Sequence, residues 1–320
     1  MSLIKNIKLN YYIKLFDQLL SEKKLNELTA EILNQYNKKN SNLREISATY
    51  ISHILNNFGL SGGYKPKMIW LNSFYKHDLN QITNFLKFYL PNTLNDDFKF
   101  ADFSEEAIKV YEQLELGKNT NITFEDFLEL NDLFQFFINY SSNKIIFLEN
   151  NNTFYEQPSR SKYFLYTNTT KCYLYLVKNP FEIYHELKLQ NEKEYALNSI
   201  LFLDQQNHKY EFHDKQIEEN SNSWSVNVNS WTNENVINTF NGLVLKNEDC
   251  QNDPLNFFAE IIAHLKMSGL DIKLDYEKIE QFINTKNINQ TIQTLDISNK
   301  TKKMFNRDCG DLLKKFNYDI

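Results

Sequence analysis

Three charged residues stand where apolar runs end. Met68, Ile69, Trp70 and Leu71 form one short run, and Lys76 follows it within a few residues; Lys144 to Glu149 is a second, closed by Glu149; Lys171 to Val177 is a third, followed at once by Lys178. Runs of this length bounded by polar residues predict buried strands. A lysine in a strand-to-helix turn lies beside free N–H groups and the positive end of a helix dipole, where phosphates and sulfates bind. His77, next to Lys76, could hold an anion or pass a proton, and Glu149 could take one as a general base. At the level of residue types the competing reading is an ordinary strand-to-helix connection with a solvated lysine.

The elements that would position these residues follow from spacing. Leu79, Ile82, Leu86 and Tyr89 recur at helical intervals until Pro91 stops the helix. Further helices are expected at 105–115, capped by Ser104, at 124–140, capped by Thr123, from Phe181, and at about 191–203. Asp253 and Pro254 have the chemistry of N-cap and first helical position, opening a helix that ends near Gly269, and Asp275 caps another over 275–285. Trp224 and Trp231 lie seven apart, on one helical face. Leu243 to Lys246 is a fourth strand. Gln205 to Asn222 is polar and acidic and is expected to be a surface loop, and Arg307 and Gly310 are placed in a C-terminal loop. Residues 1 to about 60 carry three amphipathic helical stretches.

Strands alternating with helices predict a parallel sheet covered on both faces. The expected architecture is α/β, a three-layer, P-loop-like domain over residues 64–320, with a helical extension over 1–63. Ligands of such sheets bind beyond the carboxyl ends of the strands, and Lys76, Glu149 and Lys178 all fall there.

Composition narrows the function. The chain has 320 residues, 42% hydrophobic and 15% aromatic, enough for a sizeable core. A net charge of −6 with no basic block argues against a general nucleic-acid binder. Three scattered cysteines, 172, 250 and 309, give neither a disulfide framework nor a zinc site, so no metal is expected and a reducing, cytoplasmic setting is the simplest expectation. The first residues lack a signal-peptide pattern, and no apolar run approaches a membrane span.

Five segments, taken in order, resemble the sulfotransferases that use 3′-phosphoadenosine 5′-phosphosulfate (PAPS). Ile69 to Asn80 is similar to the 5′-phosphosulfate loop, W-L-x-S-Y-P-K-S-G-N-T. Tyr173 to Ile183 is similar to Y-x-V-R-N-P-x-D-V of the 3′-phosphate segment. Ser223 to Trp231 resembles S-W-x-x-H-V-x-S-W. Val244 to Asp249 with Asp253 and Pro254 resembles V-x-R-Y-E-D-L-x-x-D-P, and Phe305 to Leu312 is a shortened likeness of F-x-R-x-G-x-x-G-x-W. The resemblance covers residues 67–312 and leaves the first 60 out.

What the resemblance implies is sulfonate transfer from PAPS to a hydroxyl or amine of a small-molecule or glycan acceptor. Lys76 would hold the 5′-phosphosulfate, with Asn80 from the same stretch among the cofactor-binding residues. Lys178 would stand in place of the arginine that grips the 3′-phosphate, and Glu186 in place of a phosphate-binding serine. Arg307 and Gly310 would close over that phosphate, and Trp224 would help wall the site. The catalytic set would be Lys76, His77 and Glu149, the glutamate serving as base because the family's histidine aligns with Asn150. Asp78 occupies the position of the loop glycine. Asp78, Glu186 and Asn150 motivate the alternative, a protein of the same fold that has lost catalysis and serves as a binding or scaffold partner. The helices of 1–63 are candidates for self-association or partner binding.

Overall fold

The structure is a computed structural model that describes residues 65–75, 79–91, 94–95, 144–150, 169–190, 207–212, 215–220, 223–286 and 297–318, with single positions at 139, 154, 197, 200 and 201. The extension over 1–63 with its boundary, the expected helices at 105–115 and 124–140 apart from helical Asn139, and Lys76, His77 and Asp78 lie outside the described residues. The chain divides into two compact units, one of residues 67–98, 144–208 and 219–320, the other of 1–66, 99–143 and 209–218. The sheet and every site residue below belong to the first.

Five parallel strands make the sheet: β1 (Met68–Ser73), β2 (Leu94–Asn95), β3 (Ile145–Asn150), β4 (Thr170–Val177) and, fifth in the sheet, Gly242–Lys246. Two further strands, β5 (Asn207–Phe212) and β6 (Lys215–Asn220), pair separately, so Gly242–Lys246 is β7. The order across the main sheet is β2-β3-β1-β4-β7, with β3, β1 and β4 inside it. Every residue of β1 is buried and β4 is buried but for Lys171, which explains their continuous apolar runs.

The helices are α1 (Asn80–Tyr89), α2 (Pro180–Gln190), α3 (Trp224–Trp231), α4 (Glu234–Phe240), α5 (Asn247–Asn252), α6 (Pro254–Met267), α7 (Tyr276–Lys286) and α8 (Asn299–Lys315). Two starts follow the expected chemistry. Asp253 accepts from the Asn256 amide with Pro254 in the first turn, and Asp275 accepts from the Lys278 amide at 3.1 Å. Two expectations are corrected. The stretch from Gln205 to Asn222 holds β5 and β6 where a loop was expected. Arg307 and Gly310 lie inside α8, a 17-residue helix started by the Ser298 side chain on the Thr301 amide. Thr301, Phe305, Cys309, Leu312 and Leu313 form its buried face, and that period outweighs one glycine.

The two faces of the sheet differ. On one, Ile69 and Leu71 of β1, Leu174 and Leu176 of β4 and Leu245 of β7 pack against α1, α6 and α7 in one apolar cluster. Phe85 of α1 sits 4.3 Å from Phe258 of α6 and 5.2 Å from Phe282 of α7, centroid to centroid. On the other, Trp70 of β1 pairs in register with Leu148 and Tyr173. Tyr173 meets Trp231 of α3 edge-on at 5.2 Å, and its hydroxyl donates to the Trp231 carbonyl at 2.6 Å. Tyr175 donates to Asn227 Oδ1 at 2.7 Å. Each such aromatic, fully buried, stabilises by roughly 1.5–3 kcal/mol, and its hydroxyl stays satisfied.

Candidate functional site

The carboxyl ends of β1, β3, β4 and β7 bring four of the sequence segments to one edge. At the end of β1, Ser73 Oγ donates to the Tyr75 carbonyl at 2.7 Å, starting the turn toward α1. Leu79 occupies the N-cap of α1 with no side-chain cap, and Asn80 is the exposed first helical residue.

Lys178 follows β4 directly and is only 7% exposed. Its carbonyl accepts from the Trp224 indole Nε1 at 3.1 Å, and its ammonium lies 6.0 Å from the Tyr75 ring. Lys178 thus ties together the candidate phosphosulfate loop, the 3′-phosphate segment and the tryptophan segment. Its Nζ also donates to Glu186 Oε1 at 2.7 Å, and Glu186, two turns into α2, keeps 41% of its side chain exposed. The next residue is engaged as well. The Asn179 amide donates to Glu248 Oε1 at 2.7 Å, and Asn179 Oδ1 caps α2 by accepting from the Phe181 amide at 3.0 Å. Glu248 Oε2 accepts from the Tyr318 hydroxyl at 3.0 Å. Burial pushes the Glu248 carboxyl above its ordinary pKa, with the Asn179 amide and Tyr318 hydroxyl pulling it down.

Glu149 stands one residue before the end of β3, in register with Leu71, and its Oε1 accepts the Thr83 hydroxyl of α1 at 2.6 Å. Asn150 is buried and donates to Asn72 Oδ1 at 3.0 Å, so the position aligned with a catalytic histidine is filled by a buried amide pair across β1 and β3. Trp224 and Trp231 are both 0% exposed and are core residues, not surfaces on which a base could stack.

Arg307 stands apart from this set. Phe305 of α8 packs on Phe181 of α2 at 4.7 Å, whereas Arg307 lines a polar groove of ≈ 460 Å³ with Ser225, Asn229 and Gly310. It is 67% exposed, and both oxygens of Asp308 accept from its guanidinium, at 2.7 and 2.8 Å. The two cations assigned by resemblance to a 3′-phosphate therefore already hold carboxylates. A dianion brought to either meets that carboxylate within ion-pair distance, and the like charges oppose it.

Sequence reasoning missed Tyr318 and Thr83 as partners of the two edge carboxylates. No local signal marks them, because each contact joins residues at least 66 positions apart. Among the described residues no group of three or more His, Cys, Asp or Glu is placed to hold a metal, and no helix is long and apolar enough to cross a membrane.

No family model matches the chain, and no curated protein matches it. Among solved structures it is similar to the crystal structure of mouse sulfotransferase SULT7A1 complexed with PAP, at 13% identity and a TM-score of 0.45, over 82% of this chain and 94% of that one. It is also similar to the sulfotransferase domain from the Curacin biosynthetic pathway, at 11% identity and a TM-score of 0.34, over 80% of this chain and 99% of that one.

Proposed function

We propose that the chain is a sulfotransferase-like enzyme that moves a sulfonate from an adenosine 5′-phosphosulfate type of donor, PAPS in the family it resembles, to a hydroxyl or amine of a small-molecule or glycan acceptor. The observation that carries this reading is the meeting of Tyr75, Lys178 and Trp224 at the carboxyl edge of β1 and β4. Three segments that resemble separate parts of a donor site are there joined through one buried lysine.

In such a transfer the bond from sulfur to the 5′-phosphate oxygen breaks as sulfur bonds the acceptor, whose proton leaves to a base. The charge that gathers on the departing phosphate calls for a fixed cation and aligned N–H groups. Lys76 and the first turn of α1 with Asn80 are the proposed donors to that phosphate, with His77 beside them. Glu149 is the proposed base, its carboxylate oriented by the Thr83 hydroxyl.

The second reading, a protein of this fold that binds without catalysing, is favoured by the Lys178–Glu186 and Arg307–Asp308 pairs. One experiment separates the two. Melting temperature is measured with 5′-AMP and with 3′-phosphoadenosine 5′-phosphate, then sulfonate transfer from PAPS and from adenosine 5′-phosphosulfate to hydroxyl and amine acceptors. A nucleotide at about 100 times Kd stabilises by roughly 2.7 kcal/mol. A shift accompanied by transfer, with turnover falling in Glu149→Gln, is the expected result. A shift without transfer supports the binding protein, and no shift with either nucleotide at millimolar concentration refutes the nucleotide reading.

A further inference from the structure

We infer that the turn at Lys178 receives a sugar hydroxyl and excludes a phosphate, so that the nucleotide of this site is one with a free 3′-hydroxyl; this rests on the nucleotide reading above. Four donors and acceptors at the turn decide it. The ammonium of Lys178 is held by Glu186 at 2.7 Å, and the Asn179 amide by Glu248 at 2.7 Å. The Phe181 amide, in the first turn of α2, is held by Asn179 Oδ1, and the Lys178 carbonyl by Trp224. Each of these three donors thus already has an acceptor in the chain itself, two of the acceptors being carboxylates.

A phosphate dianion would have to displace Glu186 from Lys178 and then remain beside it, with Glu248 on the adjoining amide. Like charges at that separation oppose binding directly. A hydroxyl reverses the balance. It donates to the Glu186 carboxylate, which is 41% exposed and so reachable, while the ion pair with Lys178 holds that carboxylate in place. A carboxylate that takes a ribose hydroxyl, where a cation would take a phosphate, is a known physical solution for telling two nucleotides apart. The pair is built in: the lysine is almost wholly buried and its backbone is pinned on both sides, so the geometry precedes the ligand.

Binding of 5′-AMP and of 3′-phosphoadenosine 5′-phosphate to the full chain is measured by calorimetry for wild type, Glu186→Ser and Glu186→Gln. Wild type is expected to prefer 5′-AMP by about tenfold or more, and removal of the charge to narrow or reverse the ratio by a similar factor. Glu186→Gln keeps the length of the side chain and guards against a packing effect, and the unliganded melting temperatures check that both variants fold. Equal or tighter binding of the 3′-phosphorylated nucleotide by wild type overturns the inference while leaving the nucleotide reading intact, as does a ratio unchanged in both variants. Failure of both nucleotides to bind removes the two together.

Discussion

Glu248 joins three parts of the chain through two oxygens: the end of β7, the turn after β4 and Tyr318 beyond α8. Burial is the largest influence on its carboxyl and raises its pKa from the ordinary 4.5. A carboxyl that holds its proton more tightly when folded contributes stability that is full below the unfolded pKa and is lost as pH rises through the folded one. Glu248→Gln cannot ionise and preserves the shape of the group. Relative to wild type, the variant is therefore expected to gain stability as pH is raised from about 4 to about 7. Urea unfolding at several pH values reads this directly, and midpoints that run parallel across the range would contradict it. The role of this residue was only half legible. The adjacent acids after the fourth strand predict an organiser of the strand-to-helix connection, and Glu248 does organise a turn. That turn, however, belongs to β4, and 69 residues of chain separate Glu248 from the amide it holds. The Lys178–Glu186 pair was hidden for a related reason. Its partners are eight apart, beyond the three- and four-residue spacing at which helical charges meet, because the lysine precedes α2.

At the scale of elements, two glycines give opposite expectations. A Cβ at Gly242 would lie 2.2–2.5 Å from the ring and hydroxyl of Tyr173, its register partner, and that hydroxyl is already donated to Trp231. Gly242→Ala is expected to destabilise by about 1–3 kcal/mol through overpacking. Gly310 sits in the middle of α8 with nothing within 4 Å of its would-be Cβ. Gly310→Ala is expected to stabilise by about 0.5–1 kcal/mol through helix propensity. Denaturant midpoints of the two variants check both signs, and a loss of stability in Gly310→Ala would return the segment to the loop first expected of it. That expectation came from giving weight to an arginine and a glycine while passing over the apolar period from Thr301 to Leu313. The caps at Asp253 and Asp275 and the strands at 68, 145, 171 and 243 were legible because their signals are local. The order β2-β3-β1-β4-β7 was not, since the order is decided by which faces bury together. The pairing of β5 with β6 escaped a polar composition because backbone hydrogen bonds do not require an apolar sequence.

The whole sheet-bearing unit buries all three cysteines, one on β4, one on α5 and one on α8, and burial raises each thiol to about 12. The thiolate is the reactive form, so alkylation near neutral pH is expected to be slow in the folded chain and to accelerate as denaturant unfolds it. Mass spectrometry resolves the three sites. Equal rates mark one cooperative unit, early labelling of Cys309 would mark separate opening of α8, and rapid labelling of all three without denaturant would contradict the burial. The three tryptophans are just as deeply placed, and one of them has a particular use. The Trp224 indole N–H ends on the carbonyl of Lys178, so its fluorescence depends on the shape of the turn proposed to select the ligand. Trp224 is an optical gauge already wired to that turn: with Trp70 and Trp231 replaced by phenylalanine, its emission would report a ligand's arrival at Lys178 without the ligand ever touching the indole.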